Sequence, residues 1–276
     1  MTARRIKAGL IGKPLTKSLS PRLFALLSRA LGEPIEYALQ KSSAGGLEET
    51  LRRVKMRGWL GFNVTIPLKE SILPHLGRID TQARGIGAVN TVAVRGGSLA
   101  GYNTDAWALR RALRESKADV RGARCAVWGA GGAARAAAWT LASLGAASVD
   151  IHGRTPTRSR ALVRAFSKRF PRVDFRAQGF LSASRRRVTV FVNATPLGMY
   201  APWPRRVKVP NVKGGVYCDF AYSRRGTPFL KNRPGTRIDG LDLLVWQAVR
   251  SAQLWTGRRL DRKTVMEVRH ALSHRG

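Results

Sequence analysis

The chain has 276 residues, 44% of them hydrophobic, and carries 50 Lys and Arg against 16 Asp and Glu, a formal net charge of +34. That length suits one large domain or two ordinary ones, and the apolar content suffices for packed cores. No apolar run approaches the ~20 residues that cross a bilayer, and Met1–Pro14 holds no stretch long enough for a secretory leader, so a cytoplasmic protein is expected.

Ala8–Gly12 reads as a short buried strand that turns at Lys13-Pro14. Ser20-Pro21 predicts a helix start, with Ser20 as the cap and Pro21 in the first turn. Leu23, Phe24, Leu26, Leu27 and Leu31 follow at helical spacing until Gly32. Ser18 has no part in that capping scheme. Ile35–Leu39 is a second strand and Leu47–Met56 a second helix. Gly61–Ile66 is a third strand that Pro67 ends, because proline offers no N–H to the ladder. Lys69 stands just beyond that stop, with Asn63 and Thr65 nearby in the chain. Strands and helices alternating in this way predict a mostly parallel sheet, whose strand ends are where side chains meet small ligands. A further helical stretch is expected from Glu70. Asn90-Thr91 and Asn103-Thr104, both close to glycines, read as turns, and 106–113 as a helix leaving this region.

Arg124–Trp128 is a strand running into Gly129-Ala130-Gly131-Gly132-Ala133-Ala134, followed by an alanine-rich helix to Leu144. Gly129, Gly131 and Ala134 fill the small positions of G-x-G-x-x-G/A, which permit a tight turn, backbone approach to a pyrophosphate and close helix packing. With a strand before it and a helix after it, this loop predicts dinucleotide binding. Ser148–His152 is the next strand. Where an NAD site places a carboxylate at the strand end, this chain has Gly153 then Arg154, with Arg158 one turn on. Two guanidiniums there match a 2′-phosphate and favour NADP. Thr155-Pro156 also forms a helix-start pair. Val188–Val192 and Val216–Phe220 are further strands, each with polar residues after it. An amphipathic helix runs from Gly240 to Gly257, in which Gln247 reads as solvent-facing, and a last helix follows from Thr264.

The positive charge favours anionic ligands, and 105–239 carry +20 of the +34. Arginine makes up 38 of the 50 cations, so genomic composition is a competing cause. Arg185–Arg187 and Arg205-Arg206 lack the interleaved aromatics of a single-strand binding surface, so a solvated face is expected and a nucleic-acid partner is not. Cys125 and Cys218 lie in strand-like runs and suit a reducing compartment. The four histidines form no zinc pattern, and no Ser/His/Asp nucleophile elbow is present.

Ser18-Leu19-Ser20-Pro21, Asn63–Lys69, Gly87–Thr91, Asn103-Thr104-Asp105, the glycine loop, Arg154-Thr155, Asn193–Pro196 and Gln247-Ala248 occur together in one order. In that order and spacing the chain resembles the shikimate dehydrogenases over nearly its whole length. The resemblance implies an α/β fold: an N-terminal α/β substrate domain completed by C-terminal helices (1–104 and 240–276), with an inserted Rossmann NADP-binding domain (105–239). It implies reversible NADPH-dependent reduction of 3-dehydroshikimate to shikimate. Lys69 and Asp105 match the family's catalytic pair, and Ser18 and Ser20 its substrate-carboxylate ligands. Thr65, Asn90, Tyr222 and Gln247 match positions that hold the ring hydroxyls or the carboxylate. Gly129, Ala130, Gly131, Gly132, Ala133, Arg154, Thr155, Arg158, Thr195 and Gly240 match cofactor positions, and no metal is implied. Lys17 stands where the family usually has His. A monomer and a homodimer both remain open. An NAD-dependent quinate/shikimate dehydrogenase is the alternative within the class, and a basic nucleic-acid-binding protein on the same fold the alternative outside it.

Overall fold

Strands and helices alternate along the chain in this computed structural model, which describes residues 5–182, 187–223 and 226–274. The first stretch runs β1 (Ile6–Gly12), α1 (Ser20–Leu31), β2 (Ile35–Lys41), α2 (Leu47–Met56), β3 (Gly61–Val64) and α3 (Leu68–Ser71). A single 3₁₀ turn leads to β4 (Arg78–Ile79), α4 (Thr81–Ile86), β5 (Thr91–Arg95), β6 (Ser98–Tyr102) and α5 (Thr104–Glu115). There follow β7 (Arg124–Trp128), α6 (Gly132–Ser143), β8 (Ser148–Gly153), α7 (Pro156–Arg169) and β9 (Asp174–Gly179). The chain ends with β10 (Val190–Asn193), β11 (Val216–Asp219), β12 (Thr236–Ile238), α8 (Gly240–Thr256) and α9 (Arg262–Ser273). Arg185 and Arg186 of the arginine run lie outside the described residues. Backbone contacts divide the chain into two units, residues 1–104 with 244–276 and residues 105–243.

The first unit is built on a sheet of order β2-β1-β3-β5-β6-β4. β1 pairs in parallel with β2 and β3, whereas β3, β5 and β6 are successively antiparallel. Phe62, Leu68 and Ile72 pack with Leu47, Leu51 and Val54 of α2 on one face. Each such side chain contributes roughly 1.5–3 kcal/mol when fully buried. On α1, Leu23, Phe24 and Leu27 are buried at helical spacing, and Phe24 stacks on Tyr37 at 4.1 Å and Trp255 at 5.3 Å. The last helices return to this unit: the Trp255 indole N–H donates to the Val92 carbonyl (2.9 Å), and Arg22 of α1 donates to Ala271 O (2.9 Å).

The second unit has the order β12-β11-β10-β7-β8-β9, every neighbouring pair parallel. β8, β10 and β11 are buried along their whole length, as strands covered on both faces must be. Ala134, Ala136, Ala137 and Ala138 of α6 are fully buried, small side chains that let the helix lie close to the sheet.

Several expectations change. Ser20 does not cap α1: Leu19 holds the cap position with no side-chain bond, and Ser20 N–H instead donates to Ser18 Oγ at 3.2 Å. Ser18 therefore does have local work. The helix expected from Glu70 is only the last turn of α3, which Leu68 begins. The stretch between the two Asn-Thr pairs is a β-hairpin, turned at Gly96 and Gly97 with φ of 53° and 75°, the backbone a two-residue hairpin turn demands. β9 and β12 were not expected; their exposed edge positions carry no apolar run. Among the described residues no helix is long and apolar enough to cross a membrane.

Gly61 tests how tightly α8 is fastened to the sheet. A Cβ there would lie 2.0 Å from Trp255 Nε1, an indole already fixed by its bond to Val92. Gly61→Ala should therefore destabilise the protein by about 1–3 kcal/mol, as overpacking does, read as a lower midpoint in chemical denaturation; an unchanged midpoint would show that the ring gives way.

Candidate functional site

In the first unit, strand direction gathers polar residues at one edge. β1 and β3 are parallel, so the segments after Gly12 and Val64 leave at the same end. Those segments are tied together: Lys13 N–H donates to Ile66 O (2.8 Å) and Thr65 N–H to Ile11 O (2.9 Å). Ser18 and Ser20 follow on one segment, Thr65 and Lys69 on the other. β5 is antiparallel to β3 with Asn63 opposite Thr91, so Asn90, just before β5, stands at this edge. β6 returns to it with Tyr102 opposite Thr91. Lys69, half-buried, sits on the short helix α3 and not at the strand end itself, and its carbonyl accepts Val89 N–H at 2.8 Å. Lys17 is exposed.

Behind this edge lies a buried polar network. Asn63 Nδ2 donates to Thr91 Oγ1 (3.0 Å) and Ser251 Oγ (2.8 Å), and its Oδ1 accepts the Tyr37 hydroxyl (2.8 Å). The Thr91 hydroxyl meets those of Thr104 and Ser251, each at 2.9 Å. Asn90 Nδ2 donates to Thr104 Oγ1 (2.9 Å), while its Oδ1 accepts Thr104 N–H (2.6 Å). Thr104 Oγ1 also lies 3.5 Å from Gln247 Oε1, and Gln247 Nε2 donates to Leu244 O at 3.0 Å. Gln247 is half-buried, contrary to the solvent-facing expectation. Buried polar groups left unbonded are costly, so a closed network of this kind fixes its members. Tyr37 and Ser251 are not singled out by the sequence, Asn63 stands out there only as a neighbour of Lys69 within its motif, and Thr91 and Thr104 belong to Asn-Thr pairs that read as turns.

In the second unit all strands run the same way, so their C-terminal ends form a common edge. The glycine loop follows β7, Arg154 follows β8, Thr195 follows β10, Tyr222 follows β11 and Gly240 follows β12. Gly129 has φ of +120°, and a Cβ on it would lie 2.9 Å from Ala194 O and 3.4 Å from Ala134 Cβ. Gly131 is different: a Cβ there meets no described atom within 4 Å. Open space over a backbone N–H at the start of a twelve-residue helix fits an incoming pyrophosphate. Ala130, Gly132 and Ala133 complete that turn. Arg154, Thr155 and Arg158 are exposed at the start of α7; Thr155 holds the cap position but makes no side-chain cap bond. This donor set fits a dinucleotide with a 2′-phosphate. Gly153 and Gly240 have packing reasons of their own. Cβ atoms there would fall 1.9 Å from Ser159 Oγ and 2.2 Å from Ala221 O, respectively. Asp105, the second residue of α5, is buried, and Tyr222 is half-buried.

Thr195 is held by its neighbours. Its N–H and Oγ1–H donate to Asn193 Oδ1 (3.0 and 2.6 Å), and its Oγ1 accepts Leu197 N–H (3.2 Å). Asn193 Nδ2 donates to Asp219 Oδ1 (2.8 Å) and Leu197 O (3.1 Å). Asp219 also accepts Ala221 N–H (2.8 Å) and the Thr227 hydroxyl (2.5 Å). Burial pushes the Asp219 carboxyl up to about 7, against the downward pull of the bonds from Thr227, Ala221 and Asn193 and with a further push from the charge of Asp239. In the sequence Asn193 was visible in the motif Asn193–Pro196, Asp219 lay within the expected strand Val216–Phe220, and Thr227 was a polar residue beyond it. Among the described residues no group of three or more side chains forms a metal site.

Residues 10–92 match the family description "Shikimate dehydrogenase substrate binding domain", and residues 240–268 match "Shikimate 5'-dehydrogenase C-terminal domain". The chain is 36% identical to the shikimate dehydrogenase (NADP(+)) of Moorella thermoacetica, covering 90% of this chain and 87% of that one. Among solved structures, the Thermus thermophilus shikimate 5-dehydrogenase in complex with NADP(H) and shikimate is 32% identical, with a TM-score of 0.79 over 97% of this chain and 99% of that one. The ligand-free 5-ketofructose reductase of a Gluconobacter strain is 30% identical, with a TM-score of 0.81 over 97% and 98% of the two chains.

Proposed function

The chain belongs to the shikimate dehydrogenase family, and from that we propose how its residues carry out the reversible, NADPH-dependent reduction of 3-dehydroshikimate to shikimate, a step of aromatic amino-acid biosynthesis. The first unit, residues 1–104 with the C-terminal helices, serves as the substrate domain, and the second as the NADP-binding domain. The observation that carries this reading is the pairing of two features. One is the row of hydroxyl, amide and ammonium groups at the first sheet's edge; the other is a glycine loop with open space over Gly131 and guanidiniums one strand away.

NADPH, when bound, supplies the hydride. Reduction of a ketone leaves negative charge on its oxygen, which an ammonium can neutralise and protonate. Lys69 fills that role and Asp105 orients it; in the reverse direction neutral Lys69 takes the proton back. Ser18 and Ser20 hold the substrate carboxylate through their hydroxyls. Thr65, Asn90, Gln247 and Tyr222 bind ring hydroxyls, which both donate and accept. N–H groups of Ala130, Gly131, Gly132 and Ala133 cradle the pyrophosphate, while Gly129, whose own N–H donates to the His152 carbonyl (2.9 Å), makes the turn that aims them; Thr195 and Gly240 lie at the far side of the cofactor. Arg154, Thr155 and Arg158 receive the 2′-phosphate, and a strand ending in Gly153-Arg154 offers no carboxylate to a free ribose hydroxyl.

The partners in this reading are small anions, not nucleic acid, and the protein acts as a monomer or homodimer. A cytoplasmic location fits its two buried free cysteines, whose thiols burial holds well above their usual range.

Purified protein should reduce NADP with shikimate, seen as rising absorbance at 340 nm, and do so far better than with NAD. No change with either cofactor, or faster turnover of 5-ketofructose than of 3-dehydroshikimate with NADPH, would overturn the assignment. Lys69→Ala should lower kcat by roughly 10²–10⁴-fold, the usual range for a lost acid-base group, with a modest change in shikimate affinity; an unchanged kcat would remove Lys69 from the chemistry. Arg154→Ala should weaken NADP about ten- to a hundredfold, the worth of a charge-assisted bond, and leave NAD nearly unaffected; equal losses for both cofactors would refute the 2′-phosphate role.

A further inference from the structure

The order of strands in the second sheet places the two halves of a bound dinucleotide. Arg154 and Arg158 follow β8, on one side of the glycine loop after β7, and β10 and β11 lie on the other side. With the 2′-phosphate over β8 and the pyrophosphate over β7, the nicotinamide half extends toward the ends of β10 and β11. At those two ends stand Asn193 and Asp219. The loop between Asn193 and Gly198 also abuts the cradle directly, since the Ala194 carbonyl is what a Cβ on Gly129 would strike at 2.9 Å.

We propose that Asp219 is a positioning residue for hydride transfer: through Asn193 it holds the loop after β10, and with it Thr195, and through Thr227 the segment after β11, where the nicotinamide half of NADP must lie. This rests on the reading of the second unit as the NADP-binding domain. Asp219 is fully buried, and three neutral groups donate to it: the Asn193 amide at 2.8 Å, the Ala221 N–H at 2.8 Å and the Thr227 hydroxyl at 2.5 Å. Among the described residues it gains no ion pair, and burial pushes it up to about 7. What it does gain is control of a chain of bonds, because one Asn193 amide faces both Asp219 and the loop. Its anchorage also reaches the segment after β11, through the Ala221 N–H and Thr227. Two loops at the nicotinamide end thus share one buried carboxyl, whereas the 2′-phosphate end depends on residues of β8 and α7 alone.

That asymmetry makes the test. Adenosine 2′,5′-bisphosphate carries the adenine half of NADP without the nicotinamide. Asp219→Ala should lower kcat for shikimate oxidation tenfold or more, while adenosine 2′,5′-bisphosphate still binds within twofold of wild type. Asp219→Asn keeps an oxygen for Asn193 and Ala221 and turns an N–H toward Thr227, so it should retain kcat within about threefold. If Asp219→Ala does not fold, Thr227→Val serves instead: kcat should drop at least threefold, Thr227→Ser should restore it, and adenosine 2′,5′-bisphosphate binding should not move. A kcat within twofold of wild type in Asp219→Ala, or in Thr227→Val where it stands in, refutes the proposal. So does a parallel loss of kcat and adenosine 2′,5′-bisphosphate binding, which is what general damage to the unit would produce. Failure of the wild-type protein itself to bind adenosine 2′,5′-bisphosphate and oxidise shikimate would instead refute the NADP reading on which the proposal stands.

Discussion

The requirement that buried polar groups be hydrogen-bonded organises the first unit more than any single apolar contact does. Asn63 lies in the centre of a sheet, where an amide without partners would cost several kcal/mol. It is satisfied by Tyr37 from β2, Thr91 from β5 and Ser251 from α8. Three elements distant in the chain are thereby placed in one register, and the same bonds carry on through Thr104 to Asn90 and Gln247. Of the groups proposed to face substrate, the amides of Asn90 and Gln247 are outer members of this network. These two amides are held from behind by Thr104, a group that cannot let go cheaply.

The second unit solves a related problem with backbone. A parallel sheet presents the ends of all its strands to one side, and what stands there is fixed by residues too small to interfere. Gly129 is required by its φ and by Ala194, Gly153 by Ser159, and Gly240 by the carbonyl of Ala221. Gly131 alone of these has nothing from the protein over it. Contacts within the protein thus account for three of the four glycines, and the fourth leaves room for the pyrophosphate proposed there.

Much of this was legible in residue order. Pro and Gly punctuation located α1 and α2, and apolar runs located β1, β3, β7, β8, β10 and β11, because fully buried strands have few other compositions open to them. The hairpin of β5 and β6 was not legible, although Gly96-Gly97 carries its turn. The neighbouring Asn-Thr pairs drew the reading toward turns at the hairpin's two ends. β9 and β12 escaped for another reason: edge strands with exposed, charged positions such as Arg176 and Arg237 lack the periodicity that marks a strand. Ser20 failed as a cap because a serine followed by proline looks the same whether its hydroxyl or its N–H is the group engaged. Asn63, Thr91 and Ser251 illustrate the deeper limit. Their importance comes from being mutual neighbours, and separations of up to 188 positions leave no local trace.

The net charge of +34 invites an electrostatic explanation for cofactor choice, yet it cannot supply one. A diffuse positive surface attracts every anion, so it raises encounter rates for NADP, NAD and shikimate together, and salt screens that pull beyond about 8 Å at physiological ionic strength. Discrimination between NADP and NAD must come from groups that touch the one phosphate in which they differ, within reach of a hydrogen bond. In the reading proposed above, the start of α7, with Arg154 and Arg158 beside a glycine-ended strand, provides such groups. Substituting exposed arginines elsewhere would change the salt dependence of binding for both cofactors alike. Selectivity and global charge are therefore separable properties of this chain, and the first is local.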